Sequence, residues 1–340
     1  MERPTDWLVL SFTTWQTMFR SATRATLITL TLTGAACARS IPPDLAPAPR
    51  AESRFYDSAT GRDVTFDAMI RAASRSDVVF FGEQHDDPGT HRMELAVLAA
   101  LGNGSRPIVL SLEMFERDVQ GVLDDDRAGR IAESDFLSRA RPWDRYTTDY
   151  RALVELARAR GWPVIAANAP RRLASAVSRS GLAGIEGLPV SERPLAARDI
   201  SCPRDAYYDK FAEQMQGHSA GGGPASATDS AAMRKMTDRF YEAQCVKDET
   251  MAESIVAALG AAGKGALVLH VDGAFHSDFG LGTVARVVRR RPGIATTVLS
   301  AVPVDAVDRA TPAEFKDRGD FVILTRKPPA APAAPASPRP

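Results

Sequence analysis

Four short apolar runs, separated by longer amphipathic stretches, constrain the fold of this chain more than any other feature of its sequence. The runs cover residues 77–81, 107–112, 162–166 and 265–271. After the first run, Met93, Val97 and Leu101 recur at the spacing of one helix face. Short strands that alternate with helices are typical of βαβ units. The sequence therefore predicts an α/β fold with a mostly parallel central sheet and flanking helices.

A long segment between the third and fourth runs predicts an addition to this core. Residues 191–262 follow a mainly helical pattern, and within them residues 217–232 read GHSAGGGPASATDSAA. Sequence this rich in Gly and Ser marks a loop between helices. We therefore expect a helical insertion between the third and fourth strands.

Each predicted strand carries or precedes polar side chains that can bind a ligand. In chain order they are Glu83, His85, Glu113, Asn168, Arg171, His270 and His276. Since the carboxyl ends of the strands form the ligand crevice in an open α/β sheet, we expect these residues to line one pocket. Imidazole and carboxylate groups together suit either a divalent metal or acid–base chemistry. The residue types alone leave both uses open.

Two familiar motifs occur in contexts that do not support their usual functions. Residues 217–221 match G-x-S-x-G, but Ser219 follows a predicted helix, whereas a nucleophile elbow needs a strand before it and a helix after it. Gly280, Gly282 and Ala285 spell G-x-G-x-x-A too late in the chain for a dinucleotide site.

The 42 Lys and Arg residues balance 42 Asp and Glu residues, so nucleic acid is not a predicted partner.

The N-terminal residues have the pattern of an export signal. Residues 27–36 read LITLTLTGAA, with Arg20 and Arg24 upstream and Cys37 directly afterwards. This stretch is shorter than the about 20 apolar residues that a membrane-spanning helix needs. We therefore predict a signal peptide over residues 1–36, with Met18 as an alternative start, and lipidation of Cys37.

Pro- and Ala-rich segments bracket the predicted folded body. The expected organisation is a tether over residues 37–53, a body over residues 54–327 and a tail over residues 328–340. In an exported protein with Cys37 lipidated, Cys202 and Cys245 form an even pair, so a disulfide between them is one expectation. Two separate buried thiols are the alternative.

Five blocks of the body carry a family resemblance. They read VVFFGEQHDDPGTHRMEL, LSLEMFERDVQ, WDRYTTDYRALVELARARGWPVIAANAPR, YEAQCVKDETMAESI and HVDGAFHSDFGLGTVARV. In combination and order they resemble the ChaN-like haem-binding lipoproteins of the wider Tiki superfamily. The resemblance covers residues 77–290, which is almost the whole predicted body. It implies the same α/β fold that the apolar runs predict.

The resemblance also implies a function in the cell envelope. It implies an exported, often lipid-anchored protein of haem or iron uptake, held at the outer or cytoplasmic membrane and served by an uptake transporter. Paired haems would bind between two protomers of a homodimer, with tyrosine on the iron and His and Lys side chains on the propionates. The candidates are Tyr146, Tyr150, Tyr207, Tyr208 and Tyr241 for iron, and Lys210 and His218 for the propionates.

More distant members of the superfamily look like esterases and metal-dependent proteases that share a G-E-x-H glutamate and histidine. In this chain Glu83, His85, Glu113 and His276 match that crevice and predict an alternative function. The alternative is a hydrolase, either metal-assisted or based on His and Glu alone. A haem-binding protein without enzymatic activity is the favoured interpretation.

Overall fold

A central eight-stranded sheet organises the protein. The computed structural model describes residues 53–219 and 227–328, without the side chains of residues 216–219 and 227–230. The strands are β1 (Arg54–Asp57), β2 (Arg62–Val64), β3 (Val78–Glu83), β4 (Ile108–Glu116), β5 (Val164–Asn168), β6 (Leu267–Gly273), β7 (Thr296–Val304) and β8 (Phe321–Arg326). Their order across the sheet is β2-β1-β8-β7-β3-β6-β4-β5.

The sheet is mostly parallel, as predicted. β3 pairs in parallel with β6 and β7, β4 with β5 and β6, and β7 with β8. At one edge, β1 runs antiparallel to both β8 and β2. The carboxyl ends of the neighbouring strands β3, β6 and β4 therefore lie side by side at the same end of the strands. This mostly parallel order confirms the predicted fold class.

Helices form most of the connections between strands. The helices are α1 (Phe66–Ala73), α2 (Pro88–Leu101), α3 (Gln120–Arg127), α4 (Glu133–Ala140), α5 (Arg151–Ala159), α6 (Arg171–Ser180), α7 (Ala183–Glu186), α8 (Ala206–Ser219), α9 (Ala227–Ala262) and α10 (Gly282–Arg290). A π-helical turn, Tyr146–Tyr150, precedes α5. Among the helices of the described residues, none is long and apolar enough to cross a membrane.

Both faces of the sheet are covered. Val79 and Phe81 of β3 face a core that contains Met93 and Leu98 of α2. The alternate residues Val78 and Phe80 face a second core formed with α9 and α10. This burial on both faces explains why the central strands read as continuous apolar runs rather than as alternating ones.

The four predicted strands are observed as β3, β4, β5 and β6, with shifted ends. β4 continues beyond the predicted end at residue 112 to Glu116, with an irregular register after Leu112. The segment 191–262 contains the two long helices α8 and α9. However, Ile255 and Leu259 near the end of α9 pack in the core of the sheet. That part of the segment is a covering helix of the sheet rather than an appended one.

Candidate functional site

A cavity of about 490 Å³ lies at the carboxyl ends of β3 and β6. Glu83 at the end of β3 and His85 just after it line one part of this cavity. Tyr207 and Lys210 of α8 line another part. The other lining residues include Gly273, Phe275, His276, Asp278, Phe279, Leu281 and Arg318. The cavity therefore combines imidazoles, carboxylates, aromatic rings and two cationic side chains. It occupies the crevice that the order of the strands predicts.

Glu83 and His85 form a hydrogen-bonded pair at the cavity wall. The buried Glu83 Oε1 accepts hydrogen bonds from His85 Nδ1 at 2.5 Å and from the Tyr150 hydroxyl at 2.6 Å. Burial alone would lower the pKa of His85, but the Glu83 carboxylate raises it above its ordinary value. Because Nδ1 is held by Glu83, Nε2 is the ring nitrogen that His85 can offer to a ligand.

His276 is held between two carboxylates. Its Nδ1 lies 2.6 Å from Asp248 Oδ1 of α9, and its Nε2 lies 3.3 Å from Glu113 Oε1. Burial would lower the pKa of His276, but Glu113 and Asp248 raise it to about 10. Glu113 Oε2 also accepts the Gly273 backbone N–H at 2.8 Å. The His276 side chain is therefore a buried imidazolium at neutral pH.

His270 does not line the cavity. It lies inside β6 and is fully buried, with Ser111 Oγ 2.9 Å from its Nδ1. Burial lowers the pKa of His270 to about 3, so its ring is neutral. Burial raises the pKa of the neighbouring Asp272 well above its ordinary value. The prediction that His270 belongs to the pocket is not supported by its position, because a residue within a central strand is enclosed by its neighbours.

Glu83 also belongs to a second buried cluster, on the side of its carboxylate that faces α2. We call this cluster the Glu-His-Glu triad, and its members are Glu83, His91 and Glu94. His91 Nδ1 lies 3.3 Å from Glu83 Oε2 and 3.2 Å from Glu94 Oε1. Burial would lower the pKa of His91, but the two carboxylates raise it to about 11. Burial and the charge of Glu83 raise the pKa of Glu94 well above its ordinary value. The three side chains thus form one compact, buried cluster of ionisable groups.

A second cavity, of about 580 Å³, lies on the other side of His85. Trp143, Tyr150 and Arg171 are among its lining residues, and the Trp143 ring meets His85 edge to face at a centroid distance of 5.0 Å. Asn168, at the end of β5, is buried and is not among the residues that line either cavity. Arg171 is therefore separated from the first cavity, whereas Glu83, His85, Glu113 and His276 are brought together.

The five candidate tyrosines occupy different environments. Tyr207 lines the first cavity, and Gln244 Nε2 donates to its hydroxyl at 3.2 Å. Tyr150 lines the second cavity, and Tyr146 packs against Phe115 and Phe136 in the core. The hydroxyl groups of Tyr208 and Tyr241 donate to Asp238 and to the Pro203 carbonyl. Of the five, Tyr207 is the one that shares a cavity with His276.

The two propionate candidates differ in what is described of them. Lys210 lines the first cavity, and its Nζ lies 3.7 Å from the centroid of the Phe279 ring. His218 lies near the end of α8, and its side chain is outside the described residues. Cys37 and residues 1–52 and 329–340 also lie outside them.

Cys202 and Cys245 are neighbours in one cluster with Tyr207 and Tyr241. Both are free thiols in the structure. A hydrogen bond between the two thiols, together with burial, raises the pKa of Cys202. The predicted disulfide stays a prediction, and its two partners are adjacent.

Sequence reasoning missed His91, Glu94 and Asp248. These residues sit on helices, whereas the search for a site followed the strand ends. A signal was available in α2, where His91 and Glu94 are three positions apart and so share one face of a helix that is buried on most of its sides. Charged residues on a buried helix surface are rare unless they are paired.

Comparison with protein families and known structures places this site in context. A family model described as haem-binding uptake, Tiki superfamily, ChaN matches residues 69–287. No curated protein sequence matches the chain. The structure of ChaN of Campylobacter jejuni, described as showing cofacial heme binding, superposes with a TM-score of 0.60 at 18% identity and covers 81% of this chain and 97% of that one. This similarity shows a shared fold.

Two other solved structures are more distant. The type III effector HopBA1 superposes with a TM-score of 0.39 at 12% identity, covering 85% of this chain and 100% of its own. An erythromycin esterase mutant in its open conformation superposes with a TM-score of 0.39 at 10% identity, covering 73% of this chain and 76% of its own. Both scores are too low to establish a common fold.

Proposed function

Because this chain belongs to the ChaN family of haem-binding uptake proteins in the Tiki superfamily, we propose that it binds haem at the cavity beside His85 and Tyr207. The observation that carries this proposal is the combination, in one cavity, of an aromatic wall, two cationic side chains and a tyrosine. A flat apolar ligand with carboxylate groups needs these three features.

The residues around the cavity fit an iron tetrapyrrole. Phe275, Phe279 and Leu281 supply apolar surface for the faces of a macrocycle. Lys210 and Arg318 supply positive charge for the propionates. Bound haem would supply an iron centre, and tyrosine is one of the residues that bind haem iron in proteins.

Tyr207 is the tyrosine that the geometry favours as the iron ligand. Its side chain is 2% exposed, and burial raises the pKa of its hydroxyl well above the ordinary value. A phenolate at this position therefore requires a compensating cation, and the cationic Arg286 over its ring, at 5.3 Å, supplies part of that charge. A ferric ion would supply the rest.

Titration with haemin, followed in the Soret region, tests this proposal. We expect saturation at one haem per chain, and a loss of affinity of about tenfold or more in Tyr207→Phe. The matched control is Tyr208→Phe, because Tyr208 is the adjacent residue and its hydroxyl bonds to Asp238 outside the cavity. A titration without saturation, or equal effects of the two substitutions, would contradict haem binding at this site.

The protein acts at the cell envelope, in this proposal, after export and lipid attachment at Cys37. The sequence of residues 27–37 supports this part, as does the Pro-rich tether that follows it. We expect the chain to fractionate with membranes and Cys37→Ser to fractionate with the soluble proteins. Recovery of both forms in the same fraction would argue against lipidation.

A hydrolase is the second candidate, and the Glu83–His85 pair favours it. A carboxylate on Nδ1 orients the ring and increases the basicity of Nε2, which is the arrangement of a general base. The His85 side chain is 47% exposed, so a substrate can reach it. A screen of ester and peptide substrates should then show activity that His85→Ala abolishes. Absence of any activity that depends on His85 would exclude this use.

A further inference from the structure

The Glu-His-Glu triad has the composition of a metal site, and it shares Glu83 with the wall of the cavity, whereas His91 and Glu94 are not among the residues that line that cavity. Its three ligand atoms lie within 4.8 Å of one another, and no residue of the triad is more than 5% exposed. Glu83 Oε2, which points into the triad, is buried without a hydrogen-bond partner. We propose that Glu83, His91 and Glu94 bind one divalent transition-metal ion, separate from the cavity beside His85 and His276.

The spacing of the three side chains suits such an ion. Tetrahedral ligands at bond lengths of about 2.1 Å lie about 3.4 Å from each other. In this protein, His91 Nδ1 lies 3.3 Å from the oxygen of Glu83 and 3.2 Å from that of Glu94. An ion can therefore bind with little movement of the protein. One imidazole and two carboxylates suit Zn²⁺ or Mn²⁺.

The second nitrogen of His91 is held as it is in most metal-bound histidines. Nε2 lies 3.1 Å from the carbonyl oxygen of His85 and 3.4 Å from Asp149 Oδ2, and both of these groups are acceptors. Nε2 therefore carries a proton, and this outer contact fixes the ring so that Nδ1 faces the carboxylates. The Nδ1 lone pair and the carboxylates of Glu83 and Glu94 that it faces repel one another. A positive charge is therefore required between these three groups.

That charge is supplied either by protons or by a metal. A divalent ion between the three ligand atoms, which lie within 4.8 Å of one another, would supply that charge directly. A small cavity of about 80 Å³, lined in part by His91, Arg92 and Asp149, gives an approach from outside.

The proposed ion would lie behind the cavity wall. Glu83 would contact it through Oε2, while Oε1 keeps its bonds to His85 and Tyr150. Metal binding and haem binding therefore use different faces of Glu83. The ion would position His85 through Glu83 and would not touch a ligand in the cavity.

Calorimetric titration of the metal-free chain with Mn²⁺, and separately with Zn²⁺, tests this inference. Mn²⁺ avoids competition from cysteine thiolates, which prefer softer ions. We expect one ion to bind per chain.

Two variants identify the site. Glu94→Gln replaces a carboxyl group by an amide of the same shape, so the chain should fold as before while its metal affinity falls by about tenfold or more. Glu113→Gln changes a buried carboxylate that pairs with His276 outside the triad and should leave the metal affinity unchanged. Circular dichroism confirms that both variants are folded. No stoichiometric binding, equal losses in both variants, or a loss confined to Glu113→Gln would overturn the inference.

Discussion

His85 lies where only a glycine on the neighbouring strand leaves room for its ring. A Cβ atom at Gly273 would lie 2.7 Å from His85 Nε2 and 2.8 Å from its Cε1. Because the ring is the end of a half-exposed side chain, Gly273→Ala should push it outwards at a cost of about 1 kcal/mol or less. We expect the pKa of His85, measured by NMR, to fall towards its ordinary value as the contact with Glu83 is lost.

Gly260→Ala is the matched control for this prediction. Gly260 lies in α9, where a Cβ meets no other atom within 4 Å, so alanine should stabilise the helix by up to about 1 kcal/mol. It should leave the titration of His85 unchanged. If His85 titrates in Gly273→Ala as it does in the original chain, the close approach does not position the ring.

The imidazolium of His276 makes the stability of the protein depend on pH. Its pKa is about 10 in the folded protein and close to 6.5 in the unfolded chain. The folded state thus holds one more proton between these values, so the stabilisation is complete below about pH 6.5 and is lost as the pH rises towards about 10. The free energy of unfolding should therefore fall between pH 7 and pH 9 in urea denaturation.

The pKa of His91 is also raised, so its titration changes the stability in the same direction as that of His276. Comparison with His276→Gln therefore isolates the contribution of His276. The decline in stability over this range should be smaller in His276→Gln than in the original chain, by about 1 kcal/mol per pH unit. Asp248→Asn should also reduce the decline, since the Asp248 carboxylate helps to hold the proton. Parallel declines in all three proteins would show that His276 is not charged.

At the residue scale, the sequence predicted those polar groups that follow a strand. Glu83 and His276 lie at strand ends and reach the cavity. His270 precedes the end of β6 by three residues, at the register of Phe80 and Ser111, and is enclosed. The apolar pattern locates a strand but does not fix its last residue, and one or two positions decide whether a side chain is enclosed or faces the crevice.

At the element scale, burial on both faces made the central strands predictable. β3, β4, β5 and β6 are near-continuous apolar runs, whereas the edge hairpin of β1 and β2 reads RFYD and RDV. β7 contains Thr, Ser and Pro and was not predicted either. Such strands depend on pairing with neighbours that are distant in sequence, which local patterns do not record.

Asp87 caps the N-terminus of α2, and its side chain also contacts β8. Asp87 accepts the N–H groups of Gly89 and Thr90 at 3.1 and 3.0 Å, and the Thr325 hydroxyl of β8 at 2.9 Å. Asp87→Ala should therefore destabilise the protein by about 2 kcal/mol, at the upper end for an N-cap.

Thr65→Ala provides the comparison for this cap. Thr65 caps α1 through one exposed hydrogen bond, to the Ala68 N–H at 3.2 Å, and its loss should cost about 0.5–1 kcal/mol. Urea denaturation measures both values. Equal costs would mean that the bond between Asp87 and β8 contributes nothing to the stability.

At the scale of the whole molecule, the cavity and the triad lie on opposite sides of the Glu83 carboxylate. On the cavity side, Phe279 is 39% exposed. Its backbone is held in a left-handed conformation with φ of 64°. The family resemblance implies haem between two copies of the chain, and we propose that a second copy covers this ring.

Haem should therefore drive dimerisation. We expect sedimentation velocity to show a monomer without haem and a dimer with two haems after loading. Tyr207→Phe should lower both the haem affinity and the fraction of dimer, whereas Tyr208→Phe should leave both unchanged. Phe279→Ser should weaken the dimer and also lower the haem affinity, since Phe279 lines the cavity and is exposed beside it. A haem-loaded monomer at all concentrations would contradict the paired arrangement and leave haem binding itself intact.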